Sequence, residues 1–530
     1  MKTLLQKLSF SLLFIFSIDA HSQCTVNNIS GDLIIGSNII MTGTYNVTGK
    51  FVIQNGISVF VQGYSSGNCG KLVINAQNIY IHGSILGNTS GFPGGSGGVG
   101  GFSVTSITGD AVSLTGCNNK DNTGHVTVEG GKQGLAGSGL GGGIPGANGA
   151  NGSGPKQQCL NNNDECGMIG SGGGAGGGSG GTYGGKGGNG ANGGNGTNSY
   201  TATGVNVSTG YAVIPGNGGI GGVALNSIGS ATGNDIDLGS GGAGAGGGGR
   251  SYIAGLQGSK GGNGGGLIKL VANDTLSITG LITSSGENGL AGGKGGDGGV
   301  TAKCCSDGCD DCGEATLSCG AGGGSGSGGG SGGGIYLESQ NKAIITGTLV
   351  AAGGNGGSGA AKGNGTSCNY SATFCGSQGI TSGDGSNGNA GGGGGGGRIK
   401  IFVPTCVQNT ITPTNNVAGG IGANTGLIGS YNVICSVTGI YDNYVYHEIS
   451  VFPNPATNQI SIKFKYFDSF KDENSTIEIV DLNGKKILET SSLLHITNEQ
   501  NIDISELQSG LYFLRLKTAD FLINQKFIKQ

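Results

Sequence analysis

Tryptophan is absent from this chain, proline occurs eight times in 530 residues, and Lys, Arg, Asp and Glu together make up only 11% of it. Each shortage removes a class of protein. Eight prolines beside 124 glycines exclude a collagen triple helix, which needs strict Gly-X-Y with abundant imino acid. A formal net charge of −4, with no basic block, leaves nucleic acid as a partner without an electrostatic footprint. Carboxylates are sparse ahead of the C-terminal piece, which counts against the paired acids of a glycosidase. The apolar run from Leu8 to Ile18 is too short to span a bilayer.

Glycine fills the space these residues leave. In one phase of three from residue 172 to 196, eight of nine positions are glycine and the ninth is Ala175. The interleaved positions admit Lys186, Asn189, Asn192 and Asn195. Tracts at 91–100, 131–152, 286–298 and 320–332 keep the same period. Such a tract cannot bury apolar side chains and loses the most backbone entropy on ordering. It is therefore either a flexible Gly/Ser-type loop or a segment held by backbone hydrogen bonds to neighbouring tracts. The period matches the three residues per turn of polyproline II. In composition and period the tracts resemble the polyglycine-II bundles of glycine-rich antifreeze and phage-tip adhesin proteins.

Between the tracts lie short β-branched runs. Residues 32–86 alternate them with Gly, Asn and Ser turns, as in Leu33-Ile34-Ile35, Phe51-Val52-Ile53 and Ser84-Ile85-Leu86. Strands this short and this closely spaced predict rungs of a parallel β-solenoid. The layout of Leu72 to Ala76 followed by Ile79 to Ile85 recurs at Ile268 to Ala272 with Leu276 to Ile282. It recurs again at Ile335 to Ser339 with Ile344 to Leu349, and more loosely from Arg398. Gly280 and Gly347 are 67 residues apart, and the stretch from Gly83 to Gly280 is about three such units. A rung followed by a glycine-rich excursion is the expected repeat.

The start reads as an export signal over residues 1–22: Lys2 and Lys7, an apolar core, then Ala20-His21-Ser22, with cleavage before Gln23. Export makes disulfides the natural reading of 14 cysteines. Short-range spacing suggests Cys24 with Cys69, Cys159 with Cys166, Cys368 with Cys375 and Cys406 with Cys435. Cys304, Cys305, Cys309, Cys312 and Cys319 form a cluster that Cys117 could complete. Zinc would need paired Cys motifs or added histidine there. Calcium through Asp307, Asp310 and Asp311 is the other alternative to a staple. Gly233-Asn-Asp-Ile-Asp237 resembles a calcium β-roll nonapeptide only locally and reads as a turn. His82 and His125 are isolated strand residues, and glycine strings such as 391–397 lack the Gly-Lys-Ser/Thr of a phosphate loop. No catalytic group, cofactor site or metal site emerges.

The last 85 residues differ in kind, with 20 charges and only Gly484 and Gly510 as glycine. Short strands at 459–464, 476–480, 486–489, 501–504, 511–517 and 524–528, with a hairpin turn from Asp481 to Gly484, predict a small β-sandwich. Val451, Phe452, Pro453, Asn454 and Pro455 open the module; Gly510, Leu511 and Tyr512 precede its penultimate run, and Gln525 to Lys529 close it. In content and order these motifs resemble the type A sorting domain of the type IX (Por) secretion system. The resemblance implies recognition by the outer-membrane secretion machinery. It also implies later removal of the module, with the cargo released or attached to surface lipopolysaccharide.

The expected protein is mostly β: residues 23–90 as solenoid rungs, 91–435 as a disulfide-bearing glycine-rich region, 436–445 as a linker and 446–530 as the sorting sandwich. Its expected role is that of an exported structural or adhesin-like protein of a Gram-negative cell surface, reached through the periplasm. A β-helix enzyme and a glycan- or ice-binding module are the alternatives.

Overall fold

The computed structural model describes residues 24–65, 69–106, 125–155, 165–203, 206–207, 214–299, 316–372, 376–404, 409–435, 448–465, 476–481, 485–491, 499–517 and 522–530. Strands are its only regular elements among these residues. The chain separates into two compact units, Met1–Thr438 and Gly439–Gln530. The expected export signal lies outside the described residues.

In the first unit the β-branched runs assemble side by side. An eleven-stranded sheet joins Gly43–Ile53, Lys71–Ile81, Leu267–Ala272, Gly334–Ser339, Arg398–Val403 and Ser430–Cys435 in parallel. A six-stranded parallel sheet runs beside it, through Ile39–Met41, Ser58–Val61, Ser84–Leu86, Leu281–Thr283, Thr348–Val350 and Thr414–Asn416. Alternation along each strand sends every second side chain inward. Register then stacks like on like: Leu72, Ile268, Ile335 and Ile399 form one inward column, and Ile74, Leu270, Leu337 and Ile401 the next, all fully buried. Each such side chain contributes about 1.5–3 kcal/mol on burial.

Two expectations change here. The runs at 72–76 and 79–81 are one continuous strand, Lys71–Ile81. More consequentially, among the described residues no further rung fills the stretch between Gly83 and Gly280. Ile79 pairs directly with Leu276, and Ile81 with Ile278. Where it is described, the intervening chain runs through glycine tracts and gives strands to three small sheets, among them His125–Val128, Glu165–Ile169 and Tyr200–Thr203. Spacing alone could not distinguish three rungs from one long excursion.

The second unit is antiparallel throughout its sheets. Glu448–Phe452, Gln459–Lys465 and Glu499–Asp503 make one sheet. Lys486–Ser491, Thr476–Val480, Gly510–Lys517 and Leu522–Lys529 make the other. Ile460, Ile462, Ile477, Ile479, Leu514, Leu516 and Phe527 fill one shared core.

Candidate functional site

Three arrangements in the chain go beyond scaffold strands, and the glycine stack is the largest. From residue 172 to 182 every backbone N–H has a backbone acceptor, either on another tract or on the later half of the same tract folded back beside it. The acceptors rotate with a period of three. Gly173, Gly176, Ser179 and Thr182 donate to the carbonyls of Ala150, Ala147, Ile144 and Gly141. Gly174, Gly177 and Gly180 donate to Gly194, Ala191 and Gly188. Gly172 and Ala175 donate to Arg250 and Gly247, then Gly178 and Gly181 to Gly326 and Gly329. Backbones come this close because nothing stands between them: a Cβ at Gly180 would fall on the Gly393 carbonyl, and one at Gly176 on the Ile220 carbonyl. Buried donors without partners are costly, and here the tract satisfies them without a sheet ladder.

At the rim, where a tract lacks a neighbour on one side, asparagine side chains replace it. Asn189, Asn192 and Asn195 accept from the N–H groups of Ala224 (2.9 Å), Gly221 (3.1 Å) and Gly218 (2.7 Å) through Oδ1. Asn148 and Asn151 do the same for Gln133 and Gly130. The three-residue spacing of Asn189, Asn192 and Asn195 is the trace of this rim in the sequence. Where a tract ends, Glu129 takes over the role. Its carboxylate accepts from Phe102 and Ser103 N–H at 3.0 and 2.9 Å and pairs with Lys132 at 2.5 Å. Partial burial works against its ionisation, but Lys132 and those two N–H groups outweigh burial and hold the carboxyl at about 2.

The second arrangement surrounds two buried cations. Arg398 and Lys400 project from the outward side of Arg398–Val403, yet Lys400 is fully buried and Arg398 nearly so. A loop over residues 228–238 covers them. Its Gly233-to-Asp237 run, which resembles a calcium loop, does not stand empty: Lys400 Nζ donates to Gly233 O at 2.6 Å, to Asp235 O, and to Asp235 Oδ1 at 3.1 Å. Burial lowers the Lys400 pKa, opposed by Asp235. Burial raises that of Asp237. Among the described residues no group of three or more His, Cys, Asp and Glu could hold a metal ion.

Cysteine placement is mixed. Cys24 and Cys69 are joined by a disulfide, with Cα atoms 5.5 Å apart. Cys435 is also disulfide-bonded. Cys159, Cys375 and Cys406 lie outside the described residues, as do Cys117, Cys304, Cys305, Cys309 and Cys312 and the acidic groups Asp307, Asp310 and Asp311; so do the side chains of Cys166 and Cys368. Cys319, expected in the cluster, is instead a free buried thiol, raised by burial to about 11. It follows Thr316–Ser318 and is covered where the tract begins, its Sγ 3.6 Å from Ser199 O. Of the isolated histidines, His82 is exposed and bonded to Thr279 Oγ1 at 3.1 Å. His125 opens a strand.

The third arrangement is the set of C-terminal motif residues, most of which converge on one end of a sheet. Both Phe452-Pro453 and Asn454-Pro455 are cis. Val451 packs against the core and Phe452 is exposed. Asn454 bridges to the terminal strand, accepting from Ile528 N at 2.9 Å and donating to Lys526 O at 3.3 Å. Ala456 and Ile528, then Gln530 and Ala456, are joined by backbone bonds of 2.8 Å. Gly510, Leu511 and Tyr512 pair with Lys529, Ile528 and Phe527 on that strand, and the Tyr512 and Phe527 rings stack 5.8 Å apart. Asp481 closes the hairpin next to them, accepting from Lys485 N at 2.9 Å, while Gly484 lies outside the described residues.

No curated protein matches the chain. Among solved structures, CopC from Methylosinus trichosporium OB3b aligns over 16% of this chain and 91% of its own, at 17% identity and a TM-score of 0.12. Dimeric latent PorU from Porphyromonas gingivalis aligns over 21% of this chain and 11% of its own, at 15% identity and a TM-score of 0.14. TM-scores this low carry no argument about fold. Residues 450–530 match the family model for the secretion system C-terminal sorting domain, so the converging motifs belong to a type IX sorting domain that engages the secretion machinery and directs the protein to the cell surface or beyond.

Proposed function

We propose that the sorting domain delivers a non-catalytic, adhesin-like structural protein whose bulk is a parallel β-solenoid continued by polyglycine-II-like tracts. The observation that carries this reading is the stack at 172–182, where each N–H is donated to a backbone carbonyl of a neighbouring tract or of the tract's own returning half, with acceptors rotating at three-residue intervals. Eleven residues at about 3.1 Å each would make a rod of roughly 34 Å. A rod built from backbone offers rigidity and reach at the surface and few groups able to do chemistry. The small antiparallel module fits a sandwich that is removed after delivery, leaving the cargo released or held on surface lipopolysaccharide of a Gram-negative cell. On this reading the route passes through the periplasm, and the surface partner is a cell-surface or glycan ligand.

The test uses the natural producer. Cells lacking the protein are compared with wild type for attachment and surface movement, with display confirmed by labelling of intact cells. Reduced attachment supports the reading; unchanged behaviour with confirmed display overturns it. Depolymerisation of any polysaccharide by the purified full chain would favour the β-helix enzyme instead.

A further inference from the structure

Residues 228–238 are held from beneath by groups that arrive 165–201 residues later in the chain. Lys400 Nζ sits against Gly233 O, Asp235 O and Asp235 Oδ1. Arg398 donates to Ile228 O at 2.6 Å and to Gly229 O at 2.8 Å. Asn432 reaches Ala231 O at 3.0 Å. From the glycine stack, Tyr183 accepts from Asp237 N at 2.7 Å through its hydroxyl, and its carbonyl accepts from Ile228 N at 2.9 Å. Within the segment, Asp235 accepts from Ser230 N at 2.8 Å, and the carbonyls of Ile228, Gly229, Ala231, Gly233 and Asp235 all accept from Arg398, Asn432 or Lys400.

We infer that residues 228–238 form a strap locked by a tethered cation, the Lys400 ammonium held in an oxygen cage of Gly233 O, Asp235 O and Asp235 Oδ1. A buried charge is tolerated only when paired and hydrogen-bonded. Lys400 meets that condition through the strap, and the Gly233 and Asp235 carbonyls of the strap are satisfied through Lys400. Neither is stable in this form without the other. The strap therefore closes only after strand Arg398–Val403 has joined the sheet. Closure couples the glycine stack, through Tyr183, to strand Arg398–Val403 of the parallel sheet.

Hydrogen exchange of the full chain, read on peptides covering 228–238, tests this. The unbranched but uncharged Lys400→Met, one heavy atom shorter, should speed strap exchange by about tenfold or more, while Lys71–Ile81 keeps its wild-type rate. In Lys400→Ala, added methylammonium should restore slow exchange by refilling the cage. Strap protection equal to wild type in Lys400→Met would overturn the proposal, as would a Lys400→Ala strap indifferent to methylammonium. Should both variants fail to fold, Asp235→Asn decides: it removes the carboxylate charge facing Lys400 Nζ at 3.1 Å and should speed exchange across 228–238, and an unchanged rate there contradicts the lock.

Discussion

The parallel strands and the glycine tracts solve one problem by opposite means. Both must satisfy backbone donors away from water. The strands do so in ladders and draw their stability from side chains, in columns such as Ile74, Leu270, Leu337 and Ile401. The tracts have almost no side chains to bury, and their donors are distributed in rotation over several neighbours. Order in the strands is thus specified by apolar surface, and order in the tracts by the absence of anything that would keep backbones apart. Substitutions that shrink a side chain should therefore damage the first region, and substitutions that add one should damage the second.

The largest effect is expected from emptying a column. Leu270→Ala should cost about 2–5 kcal/mol in denaturant unfolding of the first unit. Adding a methyl is the mirror experiment: Gly180→Ala puts a Cβ on the Gly393 carbonyl and should cost about 1–3 kcal/mol by the same measurement. A neutral Gly180→Ala would break the comparison, since a loosely held tract would absorb it. Smaller still is the rim. Asn192→Ala removes the acceptor of Gly221 N–H, and with water able to replace it the loss should stay within about 0.5–1.5 kcal/mol. Faster hydrogen exchange at Gly221 is the sharper readout.

Acid should reach the tract end before it reaches the columns. Glu129 is held at about 2 in the fold against an ordinary value of 4.5. Its folded-state pKa is depressed, so the stability it contributes is present above pH 4.5 and is lost as pH falls toward 2. Melting temperature followed across that window should decline more steeply in wild type than in Glu129→Gln. Equal slopes would remove Glu129 from its place as the cap of the tract at Phe102 and Ser103.

What could be read from the sequence follows the same division. The strands announce themselves because burial is written in side chains, and the segments sharing a layout around Gly83, Gly280 and Gly347 do lie side by side. The C-terminal motifs were legible for the same reason, being turn and strand residues in a fixed order. Which tract neighbours which was not legible, because backbone groups are identical at every glycine and carry no pairing code. Lys400 gave no warning either: in sequence it is one polar residue in an alternating strand, and its partner Asp235 lies 165 residues earlier. The free Cys319 was hidden by its proximity to four other cysteines, since spacing does not report which thiol is folded away.

The central claim is that the glycine tracts are ordered by hydrogen bonds between one another. Amide hydrogen exchange of the full chain, compared between peptides covering 172–182 and the strand Lys71–Ile81, tests it directly. The tract donors should exchange as slowly as those of the strand. Exchange at the rate of an unstructured glycine peptide would contradict the account.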